Sequence, residues 1–187
     1  MSEELDFTKH FSIAYKVPEP VASEAQQRDV DQLGTIGAAA LKDKGYYTRI
    51  VVKDRGPAKK VLDPKSLRVL IVEDDEGTAL LIEKTLQTFG CRTLRAGNRL
   101  EIAKALAEKK RPHLVLLDVL MPDANGFDVL NRIRQHDALK NLPVLLLTSL
   151  GERKDISRGL LLGANGYITK PVLPSALLEA VEAIIAG

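Results

Sequence analysis

The sequence predicts an α/β fold: a doubly wound sheet of five parallel strands with a small helix and strand extension at the N-terminus. The first supporting observation is a set of short apolar runs without polar alternation, as expected of strands buried on both faces: Val69–Val72, Leu114–Leu117 and Val144–Leu147. The second is the helical spacing of apolar residues between these runs. Strands and helices therefore alternate, and the crossovers are expected to be right-handed.

Two weaker runs complete the predicted sheet. The segment Arg92–Ala96 is more polar and suits an edge strand, whereas Tyr167–Thr169 is short but rich in aromatic and β-branched residues. Apolar residues recur every three or four positions over residues 79–89, 127–133 and 177–185, which predicts helices there. These elements together assign residues 67–187 to one domain.

The first 62 residues form a separate extension. Ser23 and Gln26 have the spacing of a capping box, which predicts a helix over residues 23–44. Its apolar face comprises Val30, Leu33, Gly37, Ala40 and Leu41. A strand is expected over residues 46–52, and the Gly- and Pro-containing stretch 53–66 is interpreted as a linker.

Residues 1–62 bury too little surface to fold alone, so we expect them to pack on the rest of the chain, on a second copy or on a partner. Gly34 and Gly37 each cost the helix about 1 kcal/mol relative to alanine unless something packs closely there. Two hypotheses follow. The helix face either forms a homo-oligomer or docking element, or belongs to a packed extension that regulates the larger domain.

Composition excludes several classes of protein. The chain has 187 residues with 27 basic and 25 acidic side chains, and this near-neutral balance gives no electrostatic reason to expect nucleic acid as a partner. The single cysteine, Cys91, excludes an internal disulfide and a cysteine-built metal site. No apolar run is long enough to cross a membrane and Met1–Asp6 is acidic, so we expect a cytoplasmic protein.

Polar residues stand directly after the predicted strands. Glu73 and Asp74 follow the first strand, Asp118 the third, Thr148 the fourth and Lys170 the fifth. The carboxyl ends of parallel strands form the ligand-binding edge of such sheets, so these side chains are expected to converge. A few carboxylates with room for water suit Mg²⁺, and a lysine opposite them could hold a phosphoryl oxygen. The set fits phosphoryl transfer onto a carboxylate.

Four motifs in order make this chemistry more specific: RVLIVEDD, LVLLDVLMPDANGFD, VLLLTS and GANGYITKP, which begin at residues 68, 114, 144 and 163. With them, residues 68–187 resemble the receiver domain of two-component response regulators. The resemblance implies a flavodoxin-like receiver fold and does not extend to the N-terminal segment.

The resemblance also implies roles for the residues at the strand ends. Asp118 is expected to be the phosphoacceptor. Asp74 and Asp118 would bind Mg²⁺ directly, Glu73 would bind it through water, and the backbone carbonyl of Leu120 would supply a further ligand. An apolar side chain at position 120 is a departure near the path of attack, and we expect it to hinder hydrolytic water and lengthen the phosphorylated state.

The remaining implied roles concern the switch. Thr148 and Lys170 would bind the phosphoryl oxygens, and Tyr167 would turn inward as Thr148 moves toward that group. Pro171 follows a peptide bond that is usually cis in the family. Phosphorylation would then bias a surface around the fourth helix, fifth strand and fifth helix of the receiver.

The expected function is a switch whose only chemistry is its own phosphorylation and dephosphorylation. The implied partners are a sensor histidine kinase or phosphotransfer protein as donor and a downstream protein target. The sequence ends at Gly187 directly after the last predicted helix, so no DNA-binding module is expected after the receiver.

Three alternatives stay open. An aspartyl-nucleophile phosphohydrolase is disfavoured, since such enzymes usually carry a second acid where this chain has Leu120. The second alternative is an adaptor that has the receiver fold and binds a partner or oligomerises without control by phosphorylation. A flavodoxin-like cofactor binder ranks last, because the acidic first strand-to-helix turn would repel a phosphate.

Overall fold

The computed structural model describes residues 23–49, 64–149 and 153–186. Its helices are α1 (Glu24–Lys44), α2 (Glu76–Thr88), α3 (Arg99–Ala107), α4 (Gly126–Gln135), α5 (Arg153–Leu161) and α6 (Pro174–Ala186). Its strands are β1 (Tyr46–Thr48), β2 (Arg68–Val72), β3 (Arg92–Ala96), β4 (Leu114–Asp118), β5 (Val144–Thr148) and β6 (Gly166–Thr169), and a 3-10 turn spans Pro64–Ser66. The expected alternation of strands and helices is confirmed.

The strands form one sheet in the order β1-β6-β5-β4-β2-β3. The five strands from β2 to β6 are parallel, as predicted, and the polar strand β3 lies at one edge. The expected count of five is corrected to six, because β1 of the extension pairs antiparallel with β6. An uncovered β6 would present unpaired backbone groups, and β1 satisfies them.

Apolar side chains fill both faces of the sheet, because β4 and β5 are buried along their whole length. On one face Leu117 and Leu146 pack with α3, α4 and α5, and on the other Leu116 and Leu145 pack with α2 and α6. This two-sided burial explains why the central strands read as uninterrupted apolar runs.

Helix α1 begins with the predicted capping box. The Ser23 amide donates to the Gln26 side chain at 3.0 Å, and the Gln26 amide donates to the Ser23 hydroxyl at 3.3 Å. The strand after it is shorter than the predicted 46–52, since β1 ends at Thr48 and residues 50–52 lie outside the described residues. Most of the predicted linker 53–66 also lies outside them, and its last three residues form the 3-10 turn.

The extension packs on the larger domain of the same chain. A β-carbon added at Gly34 would overlap the Ser157 hydroxyl of α5, and one added at Gly37 would lie 3.0 Å from both Ile156 and Tyr47. The Ser157 hydroxyl also donates to the Val30 carbonyl at 3.3 Å. These contacts give the two helical glycines the close neighbour that their propensity cost requires. They favour the hypothesis of a packed extension over a free oligomerisation face.

Candidate functional site

Parallel pairing brings the predicted site residues to one edge of the sheet. Asp118 is the last residue of β4 and is in register with Leu147, while Thr148 ends β5 opposite Thr169. Glu73 and Lys170 each come one residue after a strand, β2 and β6 respectively. The four strands therefore deliver two acids, a hydroxyl and an amine to the carboxyl edge, as the sequence predicted.

Lys170 joins the two buried acids. Its Nζ lies 2.7 Å from Asp118 Oδ2, 2.8 Å from Glu73 Oε1 and 2.7 Å from Glu73 Oε2. Glu73 is 4% exposed and Asp118 is 3% exposed, so the ion pairs lie largely out of water. Such charge-assisted contacts fix the lysine in place.

Burial and mutual interaction perturb both charged partners. Burial raises the pKa of Glu73 to about 6, an effect that the hydrogen bond from Lys170 opposes and the charge of Asp118 reinforces. Burial by itself would lower the pKa of Lys170, but hydrogen bonds from Lys170 to Asp118 and Glu73 outweigh it and raise that pKa. Lys170 therefore stays protonated and offsets part of the acidic charge.

The three acids form a cluster that suits a hard cation. Carboxylate oxygens of Glu73, Asp74 and Asp118 all lie within 4.8 Å of one another, and Asp74 is exposed to solvent. A cavity of about 290 Å³ adjoins the cluster and is lined by Glu73, Asp74, Glu76, Arg95, Gly97 and Glu101. Few carboxylates beside an open, water-accessible space match the preference of Mg²⁺, which keeps several waters.

Asp75, the acid next to Asp74, has a different role. Its Oδ1 accepts from the Thr78 amide at 2.7 Å and caps α2. This hydrogen bond from the Thr78 amide lowers the pKa of Asp75. Its carboxylate is thus committed to the helix end, which leaves Glu73 and Asp74 for the cluster.

The loop after β4 supports the Asp118 carboxylate. The Leu120 amide donates to Asp118 Oδ1 at 3.1 Å, and Leu120 forms an isolated bridge with Asn125. The Gly126 amide donates to the Val119 carbonyl at 3.0 Å, which folds the loop back on itself. The Leu120 side chain is 54% exposed. Its carbonyl as a metal ligand stays a prediction.

The switch residues predicted on β5 and β6 are close neighbours. Thr148 is buried, and its carbonyl accepts from the Lys170 amide at 2.9 Å. Tyr167 faces inward: it is 1% exposed, and its hydroxyl donates to the Ile156 carbonyl at 2.8 Å. Burial raises the pKa of Tyr167 far above its usual value. The peptide bond between Lys170 and Pro171 is cis.

One contact beside the site was not predicted. The Gly45 carbonyl, at the end of α1, accepts from the Thr169 amide at 2.9 Å and from the Thr169 hydroxyl at 3.2 Å. The sequence marks Gly45 as a helix end but gives no signal of its distant partner. The extension thus reaches the residue before Lys170.

Comparison with known proteins agrees with this geometry. The sequence profile described as "Response regulator receiver domain" matches residues 69–182. The chain belongs to the response regulator receiver domain family. The receiver region is 33% identical over 122 residues to the polar-differentiation response regulator DivK of Brucella anthropi, which covers 65% of this chain and 97% of DivK.

Structural comparison gives the same family. The chemotaxis response regulator CheY4 of Vibrio cholerae superposes with a TM-score of 0.59 at 30% identity, over 63% of this chain and 98% of that one. The DNA-binding dual master transcriptional regulator RpaA of Synechocystis sp. is 34% identical over 118 residues, which is 63% of this chain and 48% of RpaA. The chain thus spans about half the length of several curated relatives that it matches. Within the described ranges, no helix combines the length and apolarity needed to cross a membrane.

Proposed function

We propose that this response regulator accepts a phosphoryl group on Asp118 and uses it to switch a protein-interaction surface. The observation that carries the proposal is the position of Lys170 Nζ, 2.7 Å from Asp118 Oδ2 and 2.7 Å from Glu73 Oε2. This amine can neutralise charge on a phosphoryl group attached to Asp118 without first being recruited from solvent.

The donor is proposed to be a phosphohistidine on a sensor histidine kinase or phosphotransfer protein. A carboxylate oxygen of Asp118 forms a bond to phosphorus while the phosphorus–nitrogen bond of the donor breaks and the imidazole leaves with the electron pair. Glu73, Asp74 and Asp118 would hold Mg²⁺, which supplies charge neutralisation for the phosphoryl oxygens. Water later hydrolyses the acyl phosphate, so the protein returns to its initial state.

Thr148 and Lys170 would couple this chemistry to the surface. Thr148 ends β5 and Lys170 follows β6, and the Lys170 amide is bonded to the Thr148 carbonyl. A phosphoryl group bound by both residues would therefore displace the ends of β5 and β6 together. Tyr167 on β6 transmits that displacement to α5, because its hydroxyl is bonded to the Ile156 carbonyl.

Intact-mass measurement of the full chain with Mg²⁺ and acetyl phosphate tests the proposal. Wild type should gain one phosphoryl group, and Asp118→Asn and chelator-treated protein should gain none. Asp75→Asn is the matched control, because Asp75 is a neighbouring acid whose carboxylate caps α2, and it should still be phosphorylated.

The experiment is repeated with a second donor, a phosphotransfer protein that carries a phosphohistidine, in case the reaction requires a protein partner. A phosphoryl group gained by Asp118→Asn would lie on another residue and would contradict the assignment of Asp118 as the phosphoacceptor. Absence of addition to wild type with both donors would instead favour an adaptor that phosphorylation does not control.

A further inference from the structure

The extension formed by α1 and β1 lies on the side of the receiver next to the phosphorylation site. Helix α1 packs on α5, and β1 extends the sheet beyond β6. The elements α5 and β6 are the fourth helix and the fifth strand of the receiver, so they belong to the surface that phosphorylation is proposed to switch. The extension therefore covers part of this surface in the same chain.

The contact between α1 and α5 depends on small residues. Gly34 brings the backbone of α1 against Ser157, because an added β-carbon would overlap the Ser157 hydroxyl and lie 3.0 Å from the Arg153 carbonyl. At Gly37, Ile156 of α5 and the ring of Tyr47 both approach to 3.0 Å of the β-carbon position. Positions 34 and 37 of α1 therefore have no room for a larger side chain.

A continuous set of contacts leads from this interface to the amine of the site. Ile156 contacts the Gly37 position through its side chain and accepts the Tyr167 hydroxyl through its carbonyl. Tyr167 is paired with Tyr47 across the β1–β6 ladder. Two residues further along β6, Thr169 donates twice to the Gly45 carbonyl.

The last step of this path is the backbone of Lys170. Its amide donates to Thr148 on β5, its side chain donates to Asp118, and the residue before it is held by Gly45. The end of β6 is therefore held on both sides, by β5 and by the extension. Release of the extension would remove two hydrogen bonds from Thr169 and free the backbone next to Lys170.

We propose that the α1–β1 extension is a positioning element for Lys170, and that its docking on α5 and β6 is coupled to phosphorylation of Asp118. Docking favours the phosphorylated state, and phosphorylation in turn strengthens docking, because coupling between two binding equilibria is reciprocal. This inference rests on the proposed function and adds an intramolecular regulator to it.

The test uses Gly34→Leu in the full chain, with Ala39→Leu as its matched control. Leucine at position 34 would overlap α5, whereas Ala39 lies on the exposed side of the same helix. Gly34→Leu raises the helix propensity of α1 and Ala39→Leu changes it little, so loss of docking in Gly34→Leu would not reflect loss of α1 itself. Docking is read from hydrogen exchange of the Arg49 and Thr169 amides, which are bonded to Asn165 and Gly45.

Gly34→Leu should expose both amides to exchange and slow phosphorylation by acetyl phosphate and Mg²⁺ by about 5- to 10-fold. Ala39→Leu should match wild type in both measurements. In phosphorylated wild type, exchange of the Arg49 amide should slow relative to the unphosphorylated protein. This reciprocal effect is one that a purely structural role of the extension would not produce.

A size-exchange pair guards against misfolding. Gly34→Ala alone should weaken docking of α1 and slow the rate. The additional change Ser157→Ala should restore most of both, because it removes the hydroxyl that the new methyl group would overlap at the cost of one bond to the Val30 carbonyl. An undocked variant with the wild-type rate, a faster rate, or faster Arg49 exchange on phosphorylation would overturn the coupling. Wild type that takes no phosphoryl group from either donor would overturn the proposed function itself, so the two failures differ.

Discussion

The phosphorylation site and the α1–β1 extension are attached to the same sheet by different kinds of contact. At the site, buried charges hold one another: Glu73 and Asp118 are 4% and 3% exposed, and both are bonded to Lys170. The extension is held by close packing at Gly34 and by a ladder whose three β1 residues are all partly exposed. The site is thus held by charges buried in the receiver, whereas the extension is held by apolar packing, with Val30 and Leu41 in the same core cluster as α5, and by the partly exposed β1.

Replacement of Lys170 should have the largest effect on the phosphorylation rate, because it removes the ion pairs that hold the phosphorylation site together. Lys170→Gln keeps a hydrogen-bond donor but removes the positive charge between Glu73 and Asp118. Loss of one such preorganised group costs about 100- to 1000-fold in rate, so phosphorylation by acetyl phosphate should fall by that factor. The rate is measured by intact mass over time at saturating Mg²⁺.

Lys104→Gln serves as the control, since Lys104 is an exposed residue of α3. It should phosphorylate at the wild-type rate. A Lys170→Gln protein that reacts within threefold of wild type would show that the amine has no part in the chemistry.

Substitutions at two glycines test whether the α1–β1 extension separates from the receiver more easily than the loop of the phosphorylation site can move. A β-carbon at Gly126 would overlap the Asp118 carbonyl oxygen within the receiver, and one at Gly166 would overlap the Tyr47 carbonyl oxygen of the extension. Gly126→Ala should lower the free energy of unfolding by about 3 kcal/mol, because neither backbone segment can move away. Gly166→Ala should cost about 1 kcal/mol, because β1 can separate from β6.

Urea unfolding measures both free energies, and hydrogen exchange of the Arg49 amide reports separation of β1. That amide should exchange faster in Gly166→Ala and stay protected in Gly126→Ala. Equal losses of stability, with β1 still protected in Gly166→Ala, would mean that the extension is as firmly built in as the site loop.

The same contrast explains what the sequence could reveal. The receiver strands and the convergence of Glu73, Asp118 and Lys170 follow from apolar runs and from the geometry of parallel sheets, which are local or general rules. The capping box at Ser23 is also local, and α1 begins there. The antiparallel pairing of β1 with β6 and the bond from Thr169 to Gly45 join residues more than a hundred positions apart, and no local pattern encodes such a partner.

Glu73 should make the stability of the site region depend on pH. Its pKa is about 6 in the folded protein against an ordinary 4.5, so ionisation is disfavoured by folding. The contribution of Glu73 to the free energy of unfolding is therefore complete below pH 4.5. It is lost as the pH rises through 6, which lowers the free energy of unfolding by about 2 kcal/mol. Glu73→Gln should remove that fall when urea unfolding is followed from pH 4.5 to 7 in the presence of a chelator.

Added Mg²⁺ should reduce the difference between wild type and Glu73→Gln at pH 7, because a cation in the cluster favours the ionised carboxylate. Identical pH dependence of the two metal-free proteins would show that Glu73 ionises in the folded state as easily as in the unfolded one.

Leu120 should give the smallest effect, because it acts on water rather than on the charges of the site. Its amide donates to Asp118 and its side chain is 54% exposed, so we expect that side chain to hinder an attacking water near the acyl phosphate. Leu120→Asn keeps the amide and replaces an apolar group with one that can hold water. Dephosphorylation should accelerate about 3- to 10-fold, which is less than the roughly 100-fold or more that a positioned general acid or base supplies. The decay of phosphorylated protein is followed by intact mass after the donor is removed.

Leu100→Asn, at a residue 50% exposed on α3, should leave the decay unchanged. An unchanged decay in Leu120→Asn as well would mean that water reaches the phosphoryl group by a path the side chain does not cover, and the lifetime of the signal would then depend on how firmly the extension and β5 hold Lys170.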